Sequence, residues 1–416
     1  MEEVTIQKMV HGGQGLAELA DGRKVFVWNA LPGETVRVRI IKKKHSYAEA
    51  IAEEIVKASP DRTQPRELNY LATSPWQMMT FAAENTHKAE IVRELFAHER
   101  IDLPDFEGTI HEAQEWHYRN KMEYSFWGDE AGLHLALHQR GSHGKQIVEG
   151  SELAVQALDE GAHAVLYELK KLDIRAGDLK TIIVRCSQNG DVVAALYTKL
   201  DNFSKLSLPH AVKGLRVYHS NPKSPASVPT KLLYELGDVT LTDELLGKTF
   251  HYDVDSFFQV NLPMYEKVLT RIREHSMADP VDMYAGVGSI GLSVAKRVVE
   301  LVELDPATAA MARVNAEQSG IKAMVIEAST EKALEYITGE QPIIFDPPRA
   351  GLHVKVVERC LEVLPPQIIY LSCNPATQVR DLAILQEKYM VGFFEVYNFF
   401  PRTPHIETLA VLSCKK

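Results

Sequence analysis

The stretch Asp282-Met283-Tyr284-Ala285-Gly286-Val287-Gly288-Ser289-Ile290-Gly291 decides the fold of the C-terminal part of this 416-residue chain. Its glycines have a GxGxxG spacing, which lets a backbone turn sharply and lets a ligand approach closely. The spacing alone is a weak signal, because a strand–turn–helix without a ligand also produces it. Glu303 ends the next predicted strand, and a carboxylate there can accept hydrogen bonds from both ribose hydroxyls. The two features together predict a ligand that contains a nucleoside.

From about residue 255 onward, apolar runs alternate with helical stretches. This alternation predicts a doubly wound α/β domain over residues 251–416, Rossmann-like and with a mainly parallel sheet. Ligands of such a sheet lie outside the carboxyl ends of its strands. The predicted strands are Pro280–Tyr284, Val298–Glu303, Met324–Glu327, Ile343–Phe345, Ile368–Ser372, Phe393–Tyr397 and Thr408–Ser413.

Two further motifs directly follow predicted strands. Asp346-Pro347-Pro348-Arg349 places a carboxylate where it can bond a cofactor or a base edge, although a helix N-cap is the alternative. Ser372-Cys373-Asn374-Pro375 places a thiol before a predicted helix, whose positive N-terminal end would favour a thiolate. The other cysteines are interpreted as structural or incidental: Cys186, Cys360 and Cys414.

The Asp-x-Tyr-x-Gly-x-Gly form resembles S-adenosylmethionine methyltransferases more than nicotinamide enzymes. A cysteine beside a methyl donor needs a chemical reason, and carbon 5 of uracil supplies one. Thiolate addition to carbon 6 makes carbon 5 nucleophilic, and a general base must later remove the proton from carbon 5. Glu407, in the Pro-containing stretch Phe400–Glu407, is the candidate base. His405 competes for this role, but a lone loop histidine is more often structural.

Residues 1–58 consist of short predicted strands with glycine turns, which favours a small barrel. In Thr35–Ile41, apolar residues alternate with Arg37 and Arg39, and Lys42–Lys44 extend the basic run. We favour an RNA-binding face here over a merely solvated strand face, because the protein as a whole is acidic.

Residues 59–250 are predicted to form a mixed α+β central domain that binds RNA. A helix is expected over Thr80–Arg100, where it can pack on the catalytic domain, and another around Leu153–Leu172. Asn221–Pro225 is a predicted loop.

The composition is that of an ordinary globular protein, with 45% hydrophobic and 25% charged residues. The net charge of −10 argues against a general nucleic-acid binder unless cations gather on one face. No apolar run is long enough to span a bilayer, and no secretion signal is evident, so a cytoplasmic protein without a membrane partner is expected. Four scattered cysteines favour free thiols over disulfides or a zinc site.

The chain resembles the RNA uracil-5 methyltransferases, which form 5-methyluridine. The resemblance is carried by Phe258-Gln259-Val260-Asn261, residues 282–288, residues 346–351, and Ser372–Pro375 with Phe400–Glu407. It implies that Cys373 is the nucleophile and Glu407 the base. It also implies a set of residues that contact S-adenosylmethionine: Gln259, Tyr284, Ser289, Glu303, Asp346 and, from a looser alignment, Ser329.

The resemblance covers nearly the whole chain. Residues 1–58 resemble a TRAM domain, an OB-like RNA-binding barrel that is commoner in the ribosomal-RNA branch, so 23S ribosomal RNA is favoured over transfer RNA as substrate. His117–Glu123 resembles the central domain, and a monomer is expected. Many members bind an iron–sulfur cluster through four cysteines. The aligned positions here hold no thiol, so no cluster is expected: they are Glu67, Thr73, Trp76 and Ser151.

Three alternatives were weighed. A cytosine-5 methyltransferase also needs a thiolate, but Asp346–Arg349 does not fit its motifs. An amino methyltransferase would have an aromatic residue in place of Arg349 and would leave Cys373 without a role. A non-catalytic RNA-binding protein is disfavoured by the presence of both Cys373 and Glu407.

Overall fold

A computed structural model describes residues 2–142, 144–224 and 226–415. Four residues lie outside the described residues: Met1, His143, Pro225 and Lys416. Met1 and Lys416 belong to the predicted N-terminal and C-terminal domains, His143 to the central domain, and Pro225 to the predicted loop at 221–225. The first strands are β1 (Glu2–Thr5), β2 (Lys8–Met9), β3 (Gly15–Glu18), β4 (Lys24–Trp28), β5 (Thr35–Lys43) and β6 (Tyr47–Lys57).

These strands form one sheet in the order β1-β5-β6-β4-β3-β2. Strands β1 and β2 belong to a single segment, which pairs with β5 at one end and with β3 at the other. This segment therefore closes the sheet, and the predicted N-terminal barrel is confirmed. Alternate residues such as Val36 and Val38 fill its core.

The basic run of β5 does not lie free on the barrel surface. Its alternation is as predicted, with the arginines exposed. Glutamates of the neighbouring strand β6 pair with it: Arg37 with Glu54 at 2.7 Å, Arg39 with Glu53, and Lys42 with Glu49 at 3.1 Å. These pairs favour the solvated-face interpretation of β5 over the predicted RNA-binding face, because each of the three cations already has a carboxylate partner.

The central part is built on a sheet with the strand order β10-β9-β8-β11-β12-β13-β14, beside the hairpin β15–β16. Helix α3 covers this sheet and begins later than predicted, because residues before it are extended and Leu153 accepts a hydrogen bond from the amide of Arg119 at 2.9 Å. The elements are α1 (Tyr70–Thr73), α2 (Phe81–His98), β7 (Thr109–Ile110), β8 (Lys121–Asp129), β9 (Gly132–His138), β10 (Lys145–Ile147), α3 (Gln156–Lys170), β11 (Leu179–Cys186), β12 (Val192–Thr198), β13 (Gly214–His219), β14 (Lys231–Gly237), β15 (Thr240–Leu245) and β16 (Lys248–Asp253).

The C-terminal part has the predicted α/β architecture. Its sheet runs β19-β18-β17-β20-β21-β23-β22-β7, parallel from β19 to β21 and antiparallel at β23. The elements are α4 (Leu262–His275), β17 (Val281–Asp282), α5 (Ser289–Val294), β18 (Val298–Glu303), α6 (Pro306–Ser319), β19 (Lys322–Glu327), β20 (Ile343–Phe345), α7 (Val354–Val363), β21 (Gln367–Ser372), α8 (Pro375–Leu385), β22 (Tyr389–Tyr397) and β23 (Glu407–Cys414).

Both faces of this sheet are covered, as a doubly wound fold requires. On β20, Ile344 belongs to one hydrophobic core, whereas Ile343 and Phe345 belong to the core on the other face. Strand β17 is shorter than predicted, because the chain turns after Asp282 into the glycine loop.

Helix α2 packs on the catalytic sheet. Thr80 caps it by accepting a hydrogen bond from the amide of Ala83 at 3.2 Å. Phe96 lies 4.9 Å, ring to ring, from Phe394 of β22, and the short strand β7 pairs with β22 at the sheet edge. The residues between barrel and central sheet thus extend the catalytic fold. No helix within the described ranges has both the length and the apolar composition needed to cross a bilayer.

Candidate active site

The predicted site residues gather at one edge of the catalytic sheet. Strands β17 to β21 are parallel, so their carboxyl ends meet there. Strand β23 is antiparallel to β21, so its first residue lies at the same edge. The residues that follow or end these strands are Tyr284 and Ser289 after β17, Glu303 on β18, Ser329 after β19, Asp346 after β20, Cys373 after β21, and Glu407 at the start of β23.

A cavity of about 790 Å³ opens at this edge. Tyr284, Glu303 and Ser329 line it, together with Pro348 and Leu352. Its volume lies within the range typical of small-molecule and cofactor sites. The structure therefore brings three of the six predicted cofactor residues to one cavity.

The glycine loop beside the cavity has the geometry that its sequence predicts. Gly288 has a φ of +86°, and a Cβ there would lie 2.9 Å from Cδ1 of Leu292. At Gly291, a Cβ would lie 2.5 Å from Cδ2 of Leu301, so only glycine lets α5 approach β18 this closely. The loop is fixed by Asp282, whose carboxylate accepts a hydrogen bond from the amide of Gly291 at 2.9 Å. Burial raises the pKa of Asp282 to about 7.

Glu303 is held by the backbone on both sides. One carboxylate oxygen accepts a hydrogen bond from the amide of Gly286 at 2.9 Å, and the other accepts one from the amide of Asp305 at 2.7 Å. Each oxygen can accept a second bond. The carboxylate is thus fixed at the cavity wall with one acceptor position left on each oxygen.

Gln259, Ser289 and Asp346 lie beyond the lining of this cavity. The Ser289 hydroxyl is 2.6 Å from the hydroxyl of Tyr265 on α4. Burial raises the pKa of Tyr265 well above its ordinary value, and the nearby charge of Asp346 raises it further. Tyr265 is therefore bonded to Ser289 and lies within the electrostatic influence of Asp346. Sequence reasoning missed Tyr265, although it lies one helical turn after Asn261 of a motif that we singled out.

Gln259 is buried. Two residues later, Asn261 caps helix α4 and connects the motif 258–261 with the stretch that precedes Glu407. Asn261 accepts a hydrogen bond from the amide of Met264 at 3.4 Å and donates one to the carbonyl of Phe399 at 3.0 Å. The segment around Gln259 is thereby attached to the start of the loop that leads to Glu407.

Cys373 and Glu407 lie side by side. Ser372 of β21 is paired with Thr408 of β23, so the next residue of β21 and the preceding residue of β23 are neighbours across the two strands. Glu407 is buried, and neither of its carboxylate oxygens has a hydrogen-bond partner among the described residues. Burial and the charge of Asp346 raise the pKa of Glu407 well above its ordinary value.

The expected lowering of the pKa of Cys373 is wrong for this structure. Helix α8 does begin two residues later, as predicted. Burial nevertheless raises the pKa of the thiol to about 12, and the charges of Glu407 and Asp346 act in the same direction. The positive charge of Arg349 and a backbone hydrogen bond at Cys373 act in the opposite direction. Desolvation and two carboxyl groups thus determine the direction of the shift.

The loop after β20 is tied to the start of α8. Asn374 donates a hydrogen bond to the carbonyl of Arg349 at 2.9 Å, and Asp381 accepts one from the amide of Leu352 at 2.8 Å. His405 lies 3.4 Å from the guanidinium of Arg349. Burial and the surrounding cations lower the pKa of His405 to about 3, so it is a poor proton acceptor.

The model of the tRNA (uracil-5-)-methyltransferase family matches residues 80–415, and the TRAM domain model matches residues 1–52. The chain belongs to the tRNA (uracil-5-)-methyltransferase family.

Two relatives are similar to this chain over nearly the whole length of both proteins. An uncharacterized RNA methyltransferase from Lactiplantibacillus plantarum is 29% identical, with 99% of this chain and 96% of the relative covered. One from Thermotoga maritima is 26% identical, with 99% of each chain covered. The solved structure of Pyrococcus abyssi tRNA (uracil-54, C5)-methyltransferase with S-adenosyl-L-homocysteine has a TM-score of 0.78 at 20% identity, covering 98% of this chain and all of that one.

The predicted family, RNA uracil-5 methyltransferase as enzyme class and the TRAM domain are confirmed.

In this methyltransferase, hydrogen bonds join the segments around Glu67, Trp76 and Ser151, which are among the positions aligned with the cluster cysteines of other family members. One oxygen of Glu67 accepts a hydrogen bond from the amide of Glu152, next to Ser151, at 2.8 Å. The other accepts bonds from Gln77 and, at 3.3 Å, from Ser74. Trp76 is fully buried and donates to the carbonyl of Gly13 in the barrel at 3.1 Å. A carboxylate and an indole thus connect these segments to each other and to the barrel.

Proposed function

We propose that Cys373 and Glu407 carry out the methylation of carbon 5 of a uridine in RNA, as nucleophile and general base. The observation that carries this proposal is the buried Glu407 beside a thiol, because neither of its carboxylate oxygens has a hydrogen-bond partner within residues 2–142, 144–224 and 226–415. A buried carboxylate without hydrogen bonds costs stability, and such groups occur at functional sites. An incoming uracil would supply the missing contact.

The residues at the sheet edge fit S-adenosylmethionine. When bound, this molecule supplies an electrophilic methyl group. Glu303 has one acceptor position on each oxygen for the ribose hydroxyls, and the cavity beside it has room for the adenosine part. We propose that the holding residues are Tyr284, Glu303 and Ser329 in the cavity, with Gln259, Ser289 and Asp346 beyond it.

The side chains of this chain then have complementary tasks. The Cys373 thiolate forms a bond to carbon 6 of uracil, and the displaced electron pair makes carbon 5 nucleophilic. Arg349 is the cation that helps the thiol to lose its proton. After methylation, Glu407 takes the proton from carbon 5, the electron pair re-forms the double bond, and the bond from carbon 6 to sulfur breaks. Because burial raises the pKa of Glu407, its ionised form is a stronger base.

Two RNA substrates remain candidates. We favour ribosomal RNA from the resemblance of the barrel to the TRAM-containing branch. The Pyrococcus enzyme acts on transfer RNA, however, and its match extends over the region of the barrel. The description of the family also names transfer RNA. The barrel thus supports ribosomal RNA, whereas the family description and the Pyrococcus enzyme support transfer RNA.

One experiment tests both the reaction and the substrate. Ribosomal and transfer RNA from a strain that lacks this gene are incubated separately with the protein and methyl-labelled S-adenosylmethionine, with Cys373→Ala as control. We expect 5-methyluridine in one of the two RNA pools with the wild type and in neither with the variant. Absence of 5-methyluridine from both pools, or equal activity of the variant, would contradict the proposal.

A further inference from the structure

Three parts of the chain meet at the loop Phe400–Glu407. From the central part, Tyr118 donates a hydrogen bond to the carbonyl of Pro401 at 3.1 Å. From the barrel, the turn at Gly13 lies so close that a Cβ there would be 2.4 Å from Cβ of Pro404. The loop beside Cys373 therefore contacts both of the other parts of the chain, and we call this junction of the three parts the cleft.

Three arginines converge on this cleft. Arg349 contacts His405 from the catalytic part. Arg140, from the turn after β9, donates to the carbonyl of Leu71 at 2.8 Å and stacks over Trp28 of the barrel at 3.9 Å. Arg119, in the stretch before β8, has a buried Nε without a hydrogen-bond partner among the described residues. We call Arg119, Arg140 and Arg349 the cleft arginines.

The cleft arginines carry a positive charge that is not neutralised locally. Within the described part of the chain, none of the three lies within 4.0 Å of a carboxylate oxygen, whereas the nearby Lys88 is paired with Glu84 at 3.0 Å. All three contribute to the lowered pKa of His405. On a chain with a net charge of −10, this concentration of cations at the entrance to the site is favourable for a polyanion.

We propose that the cleft arginines bind the phosphates of the RNA strand that enters the site, and that β5 of the barrel does not. This inference rests on the proposed function, because it assigns a path to the same substrate. Guanidinium groups bind phosphate in a bidentate manner, and the Nε of Arg119 has no hydrogen-bond partner in the part of the chain that the structure describes. The stacking of Arg140 over Trp28 holds its guanidinium group in place beside the barrel. Three cations of β5, by contrast, already pair with glutamates: Arg37, Arg39 and Lys42.

Two double variants with the same change in net charge test this path. Arg119→Gln/Arg140→Gln removes two cleft charges, and Arg37→Gln/Arg39→Gln removes two charges from β5. Binding of unmodified transcripts of ribosomal RNA and of transfer RNA is measured separately by fluorescence anisotropy over a series of salt concentrations, and the transcript that the wild type binds more tightly is used for the comparison. Each phosphate contact on a single strand contributes about 0.7 to the slope of log K against log salt. We therefore expect the cleft variant to lose about 1.4 from that slope, and the β5 variant to keep the wild-type slope.

Folding and chemistry are controlled separately. Both variants should melt above the temperature of the binding assay and keep the wild-type affinity for S-adenosyl-L-homocysteine, and Arg119→Lys/Arg140→Lys should restore the slope. If the β5 variant loses slope and the cleft variant does not, or if the lysine variant binds as weakly as the glutamine variant, the inference is overturned. Because binding is read without turnover, a protein that binds RNA through the cleft but methylates no uridine would refute the proposed function and leave the inference standing.

Discussion

Replacement of Glu303 by glutamine should weaken the binding of S-adenosyl-L-homocysteine. In the structure, each carboxylate oxygen of Glu303 already accepts one backbone bond, from Gly286 and from Asp305. The glutamine side chain turns one oxygen into an NH2 group, which then faces an N–H donor and can no longer accept from a ribose hydroxyl. One hydrogen bond to a charged group contributes about 1.5–3 kcal/mol. The dissociation constant should therefore rise by roughly 10- to 150-fold.

Isothermal titration calorimetry with S-adenosyl-L-homocysteine measures this change directly. Glu300→Gln is the matched control, because Glu300 lies on the same strand but three residues before its carboxyl end, outside the lining of the cavity. We expect the control to bind as the wild type does, and both variants to bind RNA normally. An unchanged dissociation constant for Glu303→Gln, or an equal loss in both variants, would refute the assignment of Glu303 to the ribose.

Three further predictions follow from the same contacts. Glu407→Gln should slow turnover by roughly 100- to 10,000-fold. A covalent enzyme–RNA adduct should accumulate and be visible on a denaturing gel, because the thiol cannot leave before carbon 5 loses its proton. Normal turnover of this variant would contradict the role of Glu407. Glu67→Ala should lower the free energy of unfolding by about 1–3 kcal/mol, because the amide of Glu152 and the Gln77 side chain lose their acceptor. The melting temperature should fall accordingly, and it should fall less in Glu67→Gln. An unchanged melting temperature of Glu67→Ala would argue against this structural role of Glu67. Asp346 and Glu407 have a higher pKa in the folded protein than in the unfolded chain. Their protonated forms therefore contribute stability that is fully present below the pKa of the unfolded chain and is lost as the pH rises through the pKa of the folded state. An Asp346→Asn/Glu407→Gln variant should therefore lose less melting temperature than the wild type between about pH 5 and about pH 8, and parallel curves would contradict the linkage.

Much of the fold and of the placement of the site residues could be predicted, because both depend on local signals. An apolar run followed by Asp346 or Cys373 identifies a strand and its end, and parallel strands bring such ends to one edge. The glycine spacing at 286–291 likewise has a local cause in φ and in close packing. These features need no knowledge of distant residues.

What could not be predicted depends on contacts between segments far apart in the chain. The ion pairs of β5 with Glu53 and Glu54 follow from a register that contains β-bulges. Tyr265 resembles an ordinary buried helix residue until Ser289 is placed against it. The pKa of Cys373 depends on Glu407, which comes from another strand. Tertiary neighbours therefore decide the charge state of the site, whereas sequence decides its location.

The central claim is that Cys373 forms a covalent bond to uracil, and a fluorinated substrate tests it most directly. With 5-fluorouridine RNA, carbon 5 carries no proton for Glu407 to remove, so the adduct should persist. We expect an enzyme–RNA complex that survives denaturation, with the nucleotide attached to the peptide that contains Cys373 by mass spectrometry. Cys360→Ala should form the same complex, because Cys360 is buried in α7 away from the sheet edge. No adduct with the wild type, or the same adduct with Cys373→Ala, would contradict the account.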